Sequence, residues 1–134
     1  MGGRECLYQD AIQIDGSKYT HLHFGFGELT DDYQVKFQDV LTEYEFSNFM
    51  KVPGPKKILS FGGWDFSTLP STYNIFRQGV KAANRLTMAT NIANFVNDNN
   101  LDGVDIDWEY PGVCSMTPCP WYATANLSLL PSGA

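Results

Sequence analysis

The sequence predicts an α/β fold in which parallel strands alternate with helices. Three observations carry this reading. Runs of branched and aromatic residues of strand length recur at residues 19–27, 56–64 and 101–109. The intervals between them, about 35–45 residues, leave room for a helical crossover each time, as right-handed βαβ units require. The third run alternates strictly between acidic and apolar residues from Val104 to Glu109, the two-residue period of a strand.

Taken in order, residues 1–18 read as loop. Tyr19-Thr20-His21-Leu22-His23-Phe24-Gly25-Phe26-Gly27 is bounded by Gly16-Ser17 and by Glu28-Leu29-Thr30-Asp31-Asp32, the punctuation of a strand. His21 and His23 share a face, a spacing that also suits a metal pair. No third ligand accompanies them, so packed or hydrogen-bonded histidines are expected. Residues 33–37 alternate weakly, as a short excursion or a hairpin arm would. In residues 42–50, Tyr44, Phe46, Phe49 and Met50 form an irregular helical face, closed by Val52-Pro53-Gly54-Pro55. Such an aromatic stripe is expected in the core.

The second strand, residues 56–64, is entered through Lys56 and Lys57 and left through Gly62-Gly63. Two glycines at a strand end point to close backbone approach or room for a ligand. Residues 65–84 read as a polar, proline-broken loop with a short helical piece near 73–80. Residues 85–100 form the clearest helix, with Leu86, Ala89, Ile92, Ala93 and Val96 at helical spacing before Asn97-Asp98-Asn99-Asn100. Its apolar stripe is expected to cover Val104, Ile106 and Trp108.

In the third strand Asp105, Asp107 and Glu109 face one way and Val104, Ile106 and Trp108 the other. At strand rise the α-carbons of Asp107 and Glu109 lie roughly 6–7 Å apart and those of Asp105 and Glu109 roughly 13 Å. A solvated edge strand would mix in Lys or Thr, and none occurs between Asp102 and Glu109. A calcium loop would use polar, flexible spacers rather than Val104, Ile106 and Trp108. A buried parallel strand is normally apolar throughout, so inward carboxylates near its carboxyl end mark acid/base chemistry. Asp102 has the wrong parity for that face and is expected to set the turn into the strand with Gly103.

Fifteen acidic against nine basic residues, with no basic cluster interleaved with aromatics, exclude a nucleic-acid partner. No apolar run approaches the roughly 20 residues of a membrane span. Met1-Gly2-Gly3-Arg4-Glu5-Cys6 lacks the apolar core of a signal peptide. Cys6, Cys114 and Cys119 make an odd count without metal-ligand spacing, so neither a disulfide framework, a metal nor a cofactor is expected.

Asp102-Gly103-x-Asp105-x-Asp107-x-Glu109, followed by Tyr110-Pro111, resembles the signature of the family 18 glycoside hydrolases, the chitinases and their relatives. Ser60-Phe61-Gly62-Gly63-Trp64 is similar to the family's second signature, Ser-x-Gly-Gly. The wording of residues 18–24 and of Gly63-Trp64-Asp65-Phe66-Ser67 is closest to fungal chitinases that share a domain with killer-toxin subunits. The resemblance divides the chain into a partial catalytic domain, residues 1–112, and an unmatched tail, residues 113–134. Val113-Cys114 directly after Gly112 is what a splice donor would encode in frame, so intron read-through or a shifted frame is the expected origin of the tail.

What the resemblance implies is a partial (β/α)8 TIM barrel covering roughly strands 2 to 4. A complete barrel takes about 250 residues, against 134 here. It also implies substrate-assisted, retaining cleavage of β-1,4-linked N-acetylglucosamine polymers, in which the sugar's 2-acetamido group attacks its own anomeric carbon. In that scheme Glu109 is general acid and then base, Asp107 accepts the acetamido N–H, and Asp105 holds Asp107. Trp64 and Tyr110 are stacking candidates, Phe26 lines the pocket floor, Gly62 and Gly63 leave room for substrate, and Trp108 is core. Chitin or chito-oligosaccharides are the implied partners, and the intact family member is extracellular. Residues the family draws from later strands lie outside this chain, so the chain alone is expected to be inactive and to aggregate through open sheet edges. The alternative is a non-catalytic chitin-binding or toxin-delivery module on the same scaffold.

Overall fold

Short polar side chains set the first turns. Asp10 Oδ1 accepts the Ile12 N–H and Asp15 Oδ1 the Ser17 N–H, closing 3₁₀ turns over Ala11–Gln13 and Gly16–Lys18 where sequence alone reads loop. The computed structural model describes residues 9–112; the tail lies outside them. β1 (His21–Leu29) follows, then a two-residue β2 (Val35–Lys36), α1 (Val40–Lys51), β3 (Lys56–Gly62), two short helices α2 (Gly63–Thr68) and α3 (Asn74–Gly79), α4 (Arg85–Asp98) and β4 (Gly103–Asp107).

The sheet order is β2-β1-β3-β4, with β1, β3 and β4 parallel and β2 antiparallel to β1. Residues 33–37 therefore supply the hairpin arm, and the three long strands form one arc of a (β/α)8 barrel. α1 starts where Asp39 Oδ1 accepts from the Thr42 N–H at 2.8 Å and the Thr42 hydroxyl at 2.9 Å. Those two donors hold the Asp39 carboxyl below its ordinary value, the backbone N–H contributing most.

The outward face of β3 is fully covered, and Leu22 and Phe24 on the outward face of β1 are partly buried. Leu59 and Phe61 are wholly buried, each such burial stabilising by about 1.5–3 kcal/mol. Phe24 of β1 meets Phe46 and Phe49 of α1 with ring centroids 5.4 Å away in both cases, and Phe95 of α4 joins from 6.0 Å off Phe46. The aromatic stripe of α1 is thus core, with Tyr44 left at the surface. Lys57, buried with its ammonium 5.8 Å from the centre of the Phe49 ring, donates to the carbonyls of Val52 and Pro55.

Three expectations are corrected. The strand predicted over 56–64 stops at Gly62, because Gly62 and Gly63 adopt φ of 106° and 83° and turn the chain into α2, which carries Trp64. The loop predicted over 65–84 contains two helices rather than one. The third correction concerns α4, which packs on α3 and β2, its Asn91 Nδ2 donating to the Tyr33 carbonyl at 3.0 Å. It therefore leaves Val104 and Ile106 exposed instead of covering them. Only Trp108 of that outward set packs against the core, 5.6 Å from the Phe76 ring.

Candidate active site

The ladder between β3 and β4 sets the two sequence signatures side by side, Ser60 paired with Asp105 and Gly62 with Asp107. Asp102 secures the entry to this ladder. Its Oδ2 accepts the Lys57 N–H at 2.7 Å while its own N–H donates to the Lys57 carbonyl at 2.8 Å. The residue assigned by parity to the turn therefore clamps β4 onto β3.

Asp105 is braced from β3 beside it and from β1, one strand further along the sheet. The Ser60 hydroxyl donates to Asp105 Oδ2 at 2.8 Å, and His23 Nδ1 stands 3.3 Å from the same oxygen and 3.4 Å from Ser60 Oγ. A hydroxyl donating to a carboxylate is a charge-assisted bond. The His23–Asp105 pair is about half-exposed and contributes little as an ion pair. Three residue types of a serine-hydrolase triad meet here, but not in its geometry. Serine and acid contact the same imidazole nitrogen and each other, whereas a relay places them on opposite ring nitrogens. The cluster orients Asp105 rather than activating Ser60, and it accounts for His23 as a hydrogen-bonded histidine.

Glu109 is held differently. β4 ends at Asp107, so the strand expected to run through Glu109 stops two residues short of it. Instead the Glu109 N–H donates to Ser67 Oγ of α2 at 3.0 Å, and the Tyr110 carbonyl accepts from Arg77 Nη2 of α3 at 3.4 Å. The Gly25–Phe26 and Glu109–Tyr110 peptides are cis.

The glycine pair is explained by close approach. A Cβ at Gly62 would collide with the Asp107 carbonyl oxygen, and one at Gly63 would come within 2.9 Å of the Phe26 ring. Phe26 itself sits at the irregularity between Gly25 and Gly27, where the pairing of β1 with β3 shifts register. Phe26, Trp64 and Tyr110 are all exposed, at 39 %, 58 % and 54 %. Phe26, Gly62, Gly63 and Trp64 line a cleft of about 630 Å³ between the N-terminal turns, β1 and α2. Tyr110 and the three carboxylates do not border this cleft; they stand at the neighbouring end of β4.

Sequence reasoning missed Ser67 and Arg77. Both lie in the stretch read mostly as loop, and no spacing in the chain announces a hydrogen bond across 42 residues.

Comparison with known proteins follows the same lines. The family model of the glycosyl hydrolases of family 18 matches residues 4–125. A secreted chitinase, LysM12, of Penicillium expansum is 62 % identical over 117 residues, covering 87 % of this chain and 8 % of the relative. The killer toxin subunits alpha/beta of Kluyveromyces lactis are 46 % identical over 113 residues, covering 84 % of this chain and 10 % of that one. The chain thus spans about a tenth of the length of these relatives. Among solved structures, the group IV chitinase of Ostrinia furnacalis superimposes with a TM-score of 0.66 at 23 % identity, over 83 % of this chain and 31 % of that one, a likeness of fold.

Proposed function

Because the chain belongs to the glycosyl hydrolases of family 18, we propose that it supplies the acid–base arc of a chitinase. The complete enzyme cleaves β-1,4-linked N-acetylglucosamine polymers by substrate-assisted, retaining catalysis. The observation that supports this most is the convergence of the two signatures, with Ser60 bonded to Asp105 and Gly62 paired with Asp107 on adjacent parallel strands.

Glu109 protonates the glycosidic oxygen and then activates water. Asp107 accepts the acetamido N–H and orients the acetamido oxygen towards the anomeric carbon, and Asp105, braced by Ser60 and His23, holds Asp107. No enzyme nucleophile takes part, since the substrate provides its own. Trp64, Tyr110 and Phe26 offer exposed aromatic faces for the sugars of chitin or chito-oligosaccharides, and Gly62 and Gly63 serve the site by letting the Asp107 backbone and the Phe26 ring come close. The complete protein acts outside the cell, as the name of its secreted Penicillium expansum relative suggests. The 134 residues alone are proposed not to turn over substrate, because the arc leaves the site open to water and later strands complete it. A non-catalytic binding or toxin-delivery module is the second reading, favoured by the killer-toxin relative.

The test uses a chimaera, the catalytic domain of the Penicillium expansum relative carrying this segment in place of its own. Chito-oligosaccharides should be cleaved with the β-anomer formed first, and cello-oligosaccharides, which lack the acetamido group, should resist. Efficient cellulose cleavage or first release of the α-anomer would contradict the mechanism, and binding without cleavage would favour the second reading.

A further inference from the structure

The ladder that positions Asp105 and Asp107 ends at the Gly62–Asp107 pair. Glu109 stands beyond it, yet a proton donor must be held to a fraction of an ångström, since a misplacement of about 1 Å costs on the order of 10²-fold in rate. Something other than the sheet has to locate it. Resting on the reading of Glu109 as the acid, we propose that Ser67 and Arg77 are positioning residues for the catalytic acid: the α2–α3 excursion, not the barrel strand, sets where Glu109 sits.

Ser67 lies in α2 and is 4 % exposed. Its Oγ accepts the Glu109 N–H at 3.0 Å, a bond that holds the backbone of the acid itself. Arg77 acts one residue on, its Nη2 donating to the Tyr110 carbonyl at 3.4 Å while Nη1 donates to the Tyr73 carbonyl at 2.9 Å. The Arg77 guanidinium also lies 5.7 Å from the centre of the Trp108 ring, which packs on Phe76 of α3 with centroids 5.6 Å apart. Trp108, Glu109 and Tyr110 are therefore each held by a different side chain of one short segment. α2 follows directly from the glycine pair, and Gly62 meets the backbone of Asp107, so the excursion and the end of β4 are already locked together at their bases. The hydroxyl and the guanidinium act as the two outer fasteners of the same joint.

The chimaera carrying this segment provides the test. Ser67→Ala should lower kcat by about tenfold or more and leave KM within about twofold, because sugar contacts persist while proton transfer loses its alignment. Ser67→Thr, which keeps the oxygen, should recover most of the loss. Arg77→Met, which keeps the stem, should act in the same direction. Amide exchange at Glu109 should quicken by roughly tenfold in Ser67→Ala, with exchange at Asp105 unchanged. Unaltered kcat and unaltered Glu109 exchange in a folded Ser67→Ala variant would overturn the proposal, as would equal loss in Ser67→Ala and Ser67→Thr. Failure of the underlying reading shows elsewhere: if Glu109→Gln keeps its turnover, Glu109 is not the acid, whatever Ser67 does to exchange.

Discussion

β3 and β4 are neighbouring strands in register, and they meet opposite fates. Leu59 pairs with Val104 and Phe61 with Ile106. On the same outward face, Leu59 and Phe61 are 0 % exposed while Val104 and Ile106 are 43 % and 47 % exposed. The residues are equally apolar, so the difference comes from what lies over them. The aromatic cluster of α1 and α4, with Phe66 and Phe76 of the excursion, closes over β3, whereas α4 leans towards β2 and leaves β4 bare among the described residues. A parallel strand that reads as buried on both faces is a statement about a layer still to be added, and in this arc the layer stops at β3.

Polar substitution in the 134-residue chain should separate the two strands most sharply. Removing a buried Phe costs about 3–5 kcal/mol, so Phe61→Ser should lower further whatever fraction of the aggregation-prone chain elutes as monomer in size exclusion. Ile106→Ser should raise it, because exposed apolar surface on an edge strand promotes association. Similar losses at both positions would show that they share one environment.

A smaller effect is expected at the joint between the strands. Gly62→Ala forces a side chain into the Asp107 carbonyl at φ of 106°. Strain of that kind costs about 1–3 kcal/mol, and thermal unfolding of the chimaera should shift down accordingly. An unchanged midpoint would mean that the ladder yields there without cost.

The smallest effect belongs to the covered side, at the start of α1. The Asp39 carboxyl is held below its ordinary value by the Thr42 N–H and hydroxyl. A depressed native value means that the contribution is present above the unfolded carboxylate value and is lost as pH falls through the native one. Asp39→Ala should therefore flatten the acid limb of the stability profile slightly and leave neutral catalysis unchanged; an unaltered acid limb would count against the cap.

How much of this was legible beforehand follows the same division. The alternation from Val104 to Asp107 placed the carboxylates on one face, and the glycine pair announced a close approach that Gly62 makes with Asp107 and Gly63 with Phe26. Periodicity could not tell that β4 ends before Glu109, because the motif continues to alternate after the ladder has stopped. It also could not see that the Glu109 N–H reaches Ser67, since a side-chain bond to a distant backbone leaves no pattern in either segment. The exposure of Val104 and Ile106 is hidden from the sequence for a related reason: a helical stripe declares that it will be buried, not which strand it will cover.

We propose that Glu109, delivered beyond the end of β4, is the proton donor of a chitinase. Turnover of an aryl chitobioside by the chimaera, alongside binding of a chito-oligosaccharide, tests it most directly. Glu109→Gln should lower turnover by about 10²–10⁴-fold while binding stays nearly intact, since only the transferable proton is lost. Turnover within threefold of the parent chimaera, with binding preserved, would contradict the account.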